Sequence, residues 1–463
     1  MFRLFHIHVP KPVFALALVD SLILYAAVEL GFLISYVSYG SLERGLQGAS
    51  GLGVNDAVFI AAVFFSAVMM GLYQRQFIID LKIAAIRLMA ANALAFFMLS
   101  IVVYLVPSLR IWMSALLPAL GIAFIFMLAA RVVFLRVADI ERFKRRILVV
   151  GADAQAMEIA KLEDTGSFRC VGFIPIGDGP IHVPDHRLLR RKNDLLGEFQ
   201  SQDVDEIVVA MSERRGVLPT DDLLACRLKG ILVNDFWTFM ERERGQVEVA
   251  ALKPSWMIFA EGFTSTTRFQ RMTKRFFDIV VSLMLLVFTT PVTIITAIFI
   301  YVQDRGPVFY RQERVGLYGE TFFLMKFRSM RTDAEKDGVA QWAQAKDPRV
   351  TALGSFIRLT RIDEIPQVIN VLKGEMSFIG PRPERPTIVE DLAKHIEYYH
   401  YRDTVKPGIT GWAQINYPYG ASVEDALQKL KYDLYYIKNY SLVLDFLILL
   451  QTVRVVLWPQ GVR

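Results

Sequence analysis

Cysteine and histidine are both scarce in this sequence. Of its 463 residues only two are cysteines, Cys170 and Cys226, and only six are histidines. Two cysteines cannot build the disulfide framework of a small secreted protein, and they are expected as free thiols in a reducing compartment. Six histidines leave little material for a histidine-based zinc site. A secreted disulfide scaffold and a zinc enzyme are therefore poor explanations of this chain.

Charge is also low and nearly balanced. Charged residues make up 21% of the chain against 54% hydrophobic residues, and the net charge is +6. With a mean hydropathy of +0.36, the chain is too apolar for a disordered protein and unusual for a soluble enzyme. So small an excess of positive charge does not indicate a nucleic-acid partner. The length exceeds the ~150 residues typical of one domain, so two or three domains are expected.

Long apolar runs occupy the first third of the chain. Each is close to the ~20 residues that a helix needs to cross a bilayer, which predicts a four-helix transmembrane domain over residues 1–140. The first run contains Asp20 and Glu29, which are expected near helix ends or facing the other helices, with a transport or ligand-binding role as the alternative. The four runs are Val13–Tyr39, Val54–Tyr73, Ile83–Val106 and Ile111–Leu135.

Basic residues around these runs fall mainly on one side of the predicted bundle. Ten Lys or Arg lie before the first run, around the loop between the second and third runs (counting Arg87 at the start of the third), or just after the fourth. Only Arg44 and Arg110 lie in the other two loops. Because cytoplasmic loops carry the excess of Lys and Arg, both the N-terminus and the chain after residue 136 are expected in the cytoplasm.

A change of composition at Lys144 predicts a Rossmann-like cytoplasmic domain over residues 141–265. The helix Ala154–Leu162 follows the first of several short apolar runs, and this alternation is typical of a parallel sheet. The glycine fingerprint for phosphate is incomplete after Gly151. A structural or regulatory domain is therefore favoured over an NAD-dependent enzyme built on residues 145–260. The predicted strands are Arg146–Gly151, Cys170–Ile174, Glu206–Ala210 and Ile231–Asn234.

A further apolar element at residues 278–302 is interrupted by proline. Its ~24 apolar residues are enough to span a membrane, but Pro291 follows Thr289 and Thr290 near the centre. Proline removes a helix hydrogen bond and clashes with the preceding turn, so a bend is expected. A kinked span would put the rest of the chain outside the cytoplasm, whereas a re-entrant helix would keep it inside. The run alone favours the kinked span.

A dense series of polar motifs follows residue 305. Within it, Asp363 and Glu364 precede Pro366, which is tolerated only in a first helical turn. A helix is therefore expected to begin at about Asp363 to Ile365 and to run to Lys373. Two adjacent carboxylates can divide the work, one attacking phosphorus and the other holding Mg²⁺. The alternative is that both merely cap a helix and pair with arginines, and spacing alone does not decide. The surrounding cations that match a diphosphate are Lys326, Arg328, Arg358, Arg361, Arg382 and Arg385.

From about Arg271 to Val456 the chain resembles the bacterial sugar transferases, the monotopic phosphoglycosyl transferases. The whole chain is similar to the long members of that family, the polyprenyl-phosphate hexose-1-phosphate transferases of exopolysaccharide biosynthesis. Those members add four membrane helices and a degenerate Rossmann-like domain. The motifs that carry the resemblance are KRFFD at Lys274, GPVFYRQERVG at Gly306, KFRSM at Lys326, DEIPQ at Asp363, GPRPE at Gly380 and KPGITGWAQ at Lys406.

The resemblance implies transfer of a hexose 1-phosphate from a UDP-sugar to undecaprenyl (polyprenyl) phosphate, with release of UMP. Asp363 is then the nucleophile, forming an aspartyl phosphosugar intermediate in a ping-pong reaction, and Glu364 is the Mg²⁺ ligand. UDP-glucose and UDP-galactose are the favoured donors. A catalytically inactive partner in polysaccharide assembly or export is the alternative. The residues expected to bind phosphates or other substrate groups are Lys326, Arg328, Arg358, Arg382, Glu384 and Asp433.

This implied reaction also predicts where the catalytic region lies. Nucleotide sugars are cytosolic, so residues 266–463 are expected as an α/β catalytic domain on the cytoplasmic face of the bacterial inner membrane. The element at 278–302 is then a re-entrant helix broken at Thr290 and Pro291. The apolar stretch Tyr440–Trp458 is expected to lie on the membrane as an amphipathic helix, with a fifth span as the alternative. A homodimer is compatible with the long members of the family.

Overall fold

A computed structural model gives the fold of this chain as two compact units, Met1–Gly245 and Gln246–Arg463. The predicted division at residues 140 and 265 stays a prediction. Tyr39, Ile111 and Trp458, which bound three of the predicted apolar runs, lie outside the described residues. The structure describes residues 2–4, 7–9, 11–38, 53–73, 81–106, 113–137, 144–164, 168–177, 179–189, 204–213, 217–252, 267–331, 349–418, 420 and 422–457.

The first unit begins with four apolar helices, as predicted. They share one core, to which Leu24, Phe59, Leu88 and Leu120 each contribute from a different helix. Three of them are long and apolar enough to cross a membrane. The second has only 16 residues, about 24 Å at the helical rise, and is shorter than the expected span. After a short antiparallel pair, β1 (Phe2–Leu4) and β2 (Ile7–Val9), the helices are α1 (Lys11–Ser38), α2 (Val54–Met69), α3 (Leu81–Leu105) and α4 (Met113–Val137).

Asp20 faces the interior of this bundle. Its carboxylate and the guanidinium of Arg131 are both fully buried and lie 3.0 Å apart. The hydroxyl of Tyr73 donates a third hydrogen bond to Asp20, at 2.8 Å. Because a buried charge is tolerated only when it is paired, this arrangement joins α1 to α4 and to the turn that follows α2.

The same unit contains a four-stranded parallel sheet. In it β3 (Arg145–Val150) lies between β4 (Phe168–Ile174) and β5 (Glu206–Val209), and β6 (Leu232–Asp235) lies beside β5 at the edge. All four predicted strands are present, within two residues at either end, and the predicted helix Ala154–Leu162 is confirmed. Successive residues of the first strand enter different cores, Ile147 on one face and Leu148 on the other, as expected for a strand covered on both sides. The elements are β3 (Arg145–Val150), α5 (Ala154–Leu162), β4 (Phe168–Ile174), β5 (Glu206–Val209), α6 (Thr220–Leu228), β6 (Leu232–Asp235) and α7 (Phe236–Arg244).

The second unit opens with a 37-residue helix and continues as a small α/β domain. An antiparallel hairpin is formed by β7 (Phe309–Val315) and β8 (Thr321–Phe327), and a short parallel pair by β9 (Ser377–Ile379) and β10 (Gly408–Thr410). The elements are α8 (Arg268–Asp304), β7 (Phe309–Val315), β8 (Thr321–Phe327), α9 (Ala352–Leu359), α10 (Gln367–Lys373), β9 (Ser377–Ile379), α11 (Pro386–His395), β10 (Gly408–Thr410), α12 (Trp412–Asn416), α13 (Val423–Lys438) and α14 (Leu442–Leu457).

The long helix α8 begins ten residues before the predicted re-entrant segment 278–302. Its start is fixed by Thr267, whose hydroxyl accepts a hydrogen bond from the amide of Gln270. Pro291 lies inside the helix, and the hydroxyls of Thr289 and Thr290 donate to carbonyls one turn earlier, at 2.7 and 2.5 Å. Hydroxyls bonded back in this way, next to a proline, favour a bend.

Candidate active site

Helix α10 is bonded directly to strand β8, and this contact builds the candidate site. The side chain of Asn370 accepts a hydrogen bond from the amide of Met325 at 3.0 Å and donates to the carbonyl of Phe323 at 2.8 Å. These bonds fix the start of α10 beside the end of the β7–β8 hairpin. Lys326, the residue after Met325, therefore lies next to the chain segment that precedes α10.

Asp363 and Glu364 occupy a 3-10 turn, Ile362–Glu364, just before α10. The predicted helix start at Asp363 to Ile365 is wrong in this detail, because the α-helix begins two to four residues later, at Gln367. The turn is entered through Arg361, whose φ of 59° lies in the left-handed region. Such a backbone is unfavourable for a residue with a Cβ, and it occurs where surrounding contacts enforce it.

Three cations surround Glu364. Its Oε1 lies 3.1 Å from Arg382, 3.6 Å from Arg361 and 3.9 Å from Lys326. With Asp363 included, three positive charges face two negative ones. The cluster therefore retains an excess of positive charge that suits an anionic substrate.

The cluster shifts the pKa of both Glu364 and Lys326. Burial disfavours the ionised form of Glu364, but the charges of Arg382, Lys326 and Arg361 outweigh it and lower the pKa to about 2. Burial lowers the pKa of Lys326 to about 8, with a further contribution from Arg382 and opposition from Glu364. Glu364 is thus ionised throughout the working range, whereas Lys326 loses its charge on the alkaline side.

We predict that Lys326 titrates near pH 8 in the metal-free protein rather than near the usual 10.5. Reductive ¹³C-methylation followed by NMR titration measures this, and the resonance is assigned by its loss in Lys326→Arg. The exposed lysine Lys394 provides the reference signal. A midpoint close to 10.5 would mean that Lys326 is not buried as the structure shows it.

Asp363 is buried and has an oxygen free of hydrogen bonds. Its side chain is 8% exposed, and its Oδ1 has no hydrogen-bond partner among the described residues. Burial and the neighbouring charge of Glu364 raise the pKa of Asp363, against Lys326, Arg361 and Arg382. A higher pKa makes the carboxylate a better nucleophile, but also means that it is neutralised by acid sooner than an ordinary aspartate.

The other predicted site residues are placed as follows. Arg328 pairs with Asp304 at the end of α8 and does not join the cluster. Arg358 is half-buried on α9, and within the described part of the chain it forms no ion pair with Asp363 or Glu364. Glu384 lies 3.4 Å from the guanidinium of Arg314. The structure therefore brings together Lys326, Glu364 and Arg382 around Asp363, and leaves Arg328 outside.

Asp433 is also separate from the carboxylate pair. It is 2% exposed, on α13, and accepts a hydrogen bond of 2.9 Å from Arg402. Arg402 was not identified from the sequence. Its partner is 31 residues away in the chain, so no local pattern could have indicated it.

The phosphate-binding position of the Rossmann-like domain is filled by the protein itself. The carboxylate of Asp153 accepts hydrogen bonds from the first amides of α5, Gln155 and Ala156, and from the amide of Ser212 at 2.6 Å. Gly151 is required for packing, because a Cβ there would lie 1.9 Å from the carbonyl of Ala210. The amides that would hold a pyrophosphate are thus already occupied.

The carboxylate pair can supply part of a Mg²⁺ site. Among the described residues no group of three His, Cys, Asp or Glu side chains is placed to hold a metal ion. Mg²⁺ is commonly bound by one or two carboxylates and completed by substrate phosphates and water. The unpartnered oxygen of Asp363 next to the ionised Glu364 fits such an incomplete set of ligands.

Comparison with known proteins places the similarity mainly in the second unit. The family model described as bacterial sugar transferase matches residues 269–459. An uncharacterized sugar transferase of Bacillus subtilis (strain 168) is 40% identical over 190 residues, which cover 41% of this chain and 90% of that protein.

Two longer relatives have named activities. The UDP-N-acetylgalactosamine-undecaprenyl-phosphate N-acetylgalactosaminephosphotransferase of Aeromonas hydrophila is 46% identical over 190 residues, 41% of this chain and 45% of that protein. The undecaprenyl-phosphate glucose phosphotransferase of Komagataeibacter xylinus is 33% identical over 334 residues, 68% of this chain and 59% of that protein. The matched regions thus span about half the length of these two relatives.

Proposed function

This protein belongs to the bacterial sugar transferase family, and from that premise we propose that it transfers a hexose 1-phosphate from a UDP-sugar to undecaprenyl phosphate, releasing UMP. The main support for this proposal is the buried Asp363, which has an oxygen without a hydrogen-bond partner among the described residues and lies beside a Glu364 surrounded by three cations. If Asp363 and Glu364 only capped a helix and paired with arginines, we would expect neither a buried oxygen without a partner among the described residues nor an excess of positive charge around them.

In the first step, a carboxylate oxygen of Asp363 attacks the β-phosphorus of the UDP-sugar. The bond from that phosphorus to the bridging oxygen breaks, and UMP leaves with the electron pair on its α-phosphate. The product on the protein is an aspartyl phosphosugar. Lys326 and Arg382 are placed to stabilise the charge on the transferred phosphoryl group.

In the second step, an oxygen of undecaprenyl phosphate attacks the same phosphorus. The phosphorus–oxygen bond to Asp363 breaks, which regenerates the carboxylate and releases the lipid-linked sugar diphosphate. Dividing the reaction in this way means that the soluble donor and the membrane-bound acceptor need not be bound together.

Mg²⁺ is part of the proposal. Glu364 would hold the ion, with the remaining ligands supplied by substrate phosphates and water. When bound, Mg²⁺ supplies charge neutralisation to the diphosphate, so that an anionic carboxylate can approach it. The low pKa of Glu364 keeps this ligand deprotonated at any working pH.

A re-entrant path for α8 is supported by what holds its two ends. Near its start, Arg275 donates a hydrogen bond to the carbonyl of Val371. Near its end, Ile300 packs with Phe327, two residues after the Met325 that is bonded to α10. Neighbouring parts of one small domain therefore hold both ends, whereas a straight helix would separate residues 275 and 300 by about 38 Å. Between residues 283 and 295 no side chain is buried, so the middle of α8 is the part that would enter the membrane.

The proposed topology predicts one-sided labelling of the hairpin. Glu313 is exposed on β7, and Glu313→Cys in a background without Cys170 and Cys226 is expected to react with a membrane-impermeant maleimide only from the cytoplasmic side. A cysteine in place of Arg44, in a loop predicted to face outward, serves as the opposite control. Labelling of the hairpin cysteine from outside would support a kinked span instead.

The proposed activity is tested by a panel of UDP-sugars. UDP-glucose, UDP-galactose, UDP-N-acetylglucosamine and UDP-N-acetylgalactosamine are each supplied with undecaprenyl phosphate, and UMP and radiolabelled lipid product are measured. We expect both products from at least one donor. No lipid-linked product from any of them would favour a partner in polysaccharide assembly or export.

A further inference from the structure

A buried arginine lies behind the loop that carries Arg382. Arg402 is 6% exposed, and its guanidinium donates to three acceptors on different elements. These are the carboxylate of Asp433 at 2.9 Å, the backbone carbonyl of Arg382 at 2.9 Å and the hydroxyl of Tyr399 at 2.8 Å. Arg402 thus connects α13 to the main chain of a residue whose side chain contacts Glu364.

The placement of Asp433 argues against direct contact with substrate. Its side chain is 2% exposed, and the oxygen Oδ2 is already bonded to Arg402. The UDP-sugar could reach the carboxylate of Asp433 only by displacing the buried guanidinium of Arg402, which is strongly unfavourable. Asp433 is therefore better explained as the counter-ion that keeps Arg402 in place.

The main chain around Arg382 is held from two sides. On one side, the amide of Gly380 donates to the carbonyl of Thr410, and the amide of Gly408 donates to the carbonyl of Pro381, each at 2.9 Å. On the other side, Arg402 donates to the carbonyl of Arg382 itself. The guanidinium of Arg382 reaches Glu364, at 3.1 Å, from this fixed base.

We propose that Arg402 and Asp433 form a positioning pair, which fixes the Arg382 backbone so that its guanidinium meets the Glu364 carboxylate and the phosphoryl group being transferred. Neither residue touches substrate. This inference rests on the proposed transferase function for its kinetic consequence, but the structural contact can be tested without activity. Because small displacements of a charge-stabilising group reduce turnover steeply, the pair acts on kcat rather than on donor binding.

The experiment is a double-mutant cycle on the full-length protein. Arg402→Lys and Asp433→Asn are each expected to lower kcat roughly 10- to 100-fold, with the KM for the UDP-sugar changed by less than about threefold. Arg402→Lys combined with Arg382→Ala is expected to be no slower than Arg382→Ala alone, since the effect passes through the side chain of Arg382. Lys431→Met is the matched control, because it removes a different ion pair of α13, that with Glu248, and should leave kcat unchanged.

Hydrogen exchange gives a readout that does not depend on turnover. In Asp433→Asn, the peptide covering residues 380–386 is expected to exchange faster than in the wild type, with exchange in α1 to α4 unchanged. Fully additive kinetic effects of Arg402→Lys and Arg382→Ala, or unchanged exchange at 380–386, would overturn the positioning pair. An inactive wild type would instead overturn the proposed function, while the exchange measurement would still decide on the pair.

Discussion

Asp363→Asn is expected to lower transfer by about 10³-fold or more, because the amide cannot form the covalent phosphosugar. The substitution preserves the size of the side chain, and Asp363 is buried with an unpartnered Oδ1, so no hydrogen bond among the described residues to that oxygen is lost. The measurement is radiolabelled lipid product and UMP release under saturating donor and acceptor. Asp391→Asn, the same change at an exposed position of α11, is the matched control and should retain full activity.

The pH dependence of the donor step gives a second view of the same residue. The raised pKa of Asp363 places the loss of its carboxylate charge above the usual value of 3.8, so activity should fall on acidification earlier than for an ordinary aspartate. Substantial turnover by Asp363→Asn, well above the background without enzyme, would remove Asp363 as the nucleophile whatever the pH profile.

Removal of divalent metal is expected to reduce the rate at least about a hundredfold, because the diphosphate then repels the attacking carboxylate. Excess EDTA is added, and activity is followed as Mg²⁺ is restored. Glu364→Gln should raise the Mg²⁺ concentration needed for half-maximal rate, because the variant lacks the anionic ligand. Since the pKa of Glu364 is about 2, the wild-type requirement should not change through protonation of this ligand between pH 5 and 8.

Two outcomes would contradict the metal assignment. Unaffected rates in EDTA would show that Lys326, Arg361 and Arg382 are sufficient to stabilise the transferred phosphoryl group. Glu364→Gln with lower activity but an unchanged Mg²⁺ dependence would place the metal elsewhere. In that case the ion pair between Glu364 and Arg382, at 3.1 Å, would be the remaining role of this carboxylate.

Elements with strong periodic or apolar patterns could be predicted from the sequence. The four N-terminal helices, the four parallel strands and the helix Ala154–Leu162 all follow from local composition, which tertiary contacts did not override. The α8 boundary was less accurate. The predicted segment begins at 278, whereas the cap at Thr267 adds the ten residues 268–277, among which Lys274 is buried.

The residue types of the candidate site could be predicted from the sequence, but the contacts that bring them together could not. Motif spacing selected Lys326, Asp363, Glu364 and Arg382, although nothing local showed that Asn370 would bring β8 and α10 together. Arg328, two residues after Lys326, is one of the cations expected to match a diphosphate. In a strand such residues share a face, but β8 ends at Phe327, and Arg328 turns towards Asp304 instead.

For the ionisable residues in apolar segments, too, the sequence indicates the residue but not its partner. Asp20 was recognised as unusual in a membrane helix, but its partner Arg131 is 111 residues away and could not be chosen from several candidates. Lys274 forms a comparable buried ion pair with Asp445 of α14, at 2.7 Å. Long-range pairing of charges is a property of the folded chain, and local patterns in the sequence do not identify the partners.

The central claim is that a carboxylate becomes covalently bound to the sugar phosphate, and mass spectrometry of donor-treated protein tests it most directly. The purified protein is incubated with its UDP-sugar and Mg²⁺ but without lipid acceptor, quenched and digested. We expect the peptide containing Asp363 to gain the mass of one hexose phosphate, and this gain to disappear when undecaprenyl phosphate is added. Efficient formation of lipid-linked product by a protein whose Asp363 peptide never carries that mass would contradict it.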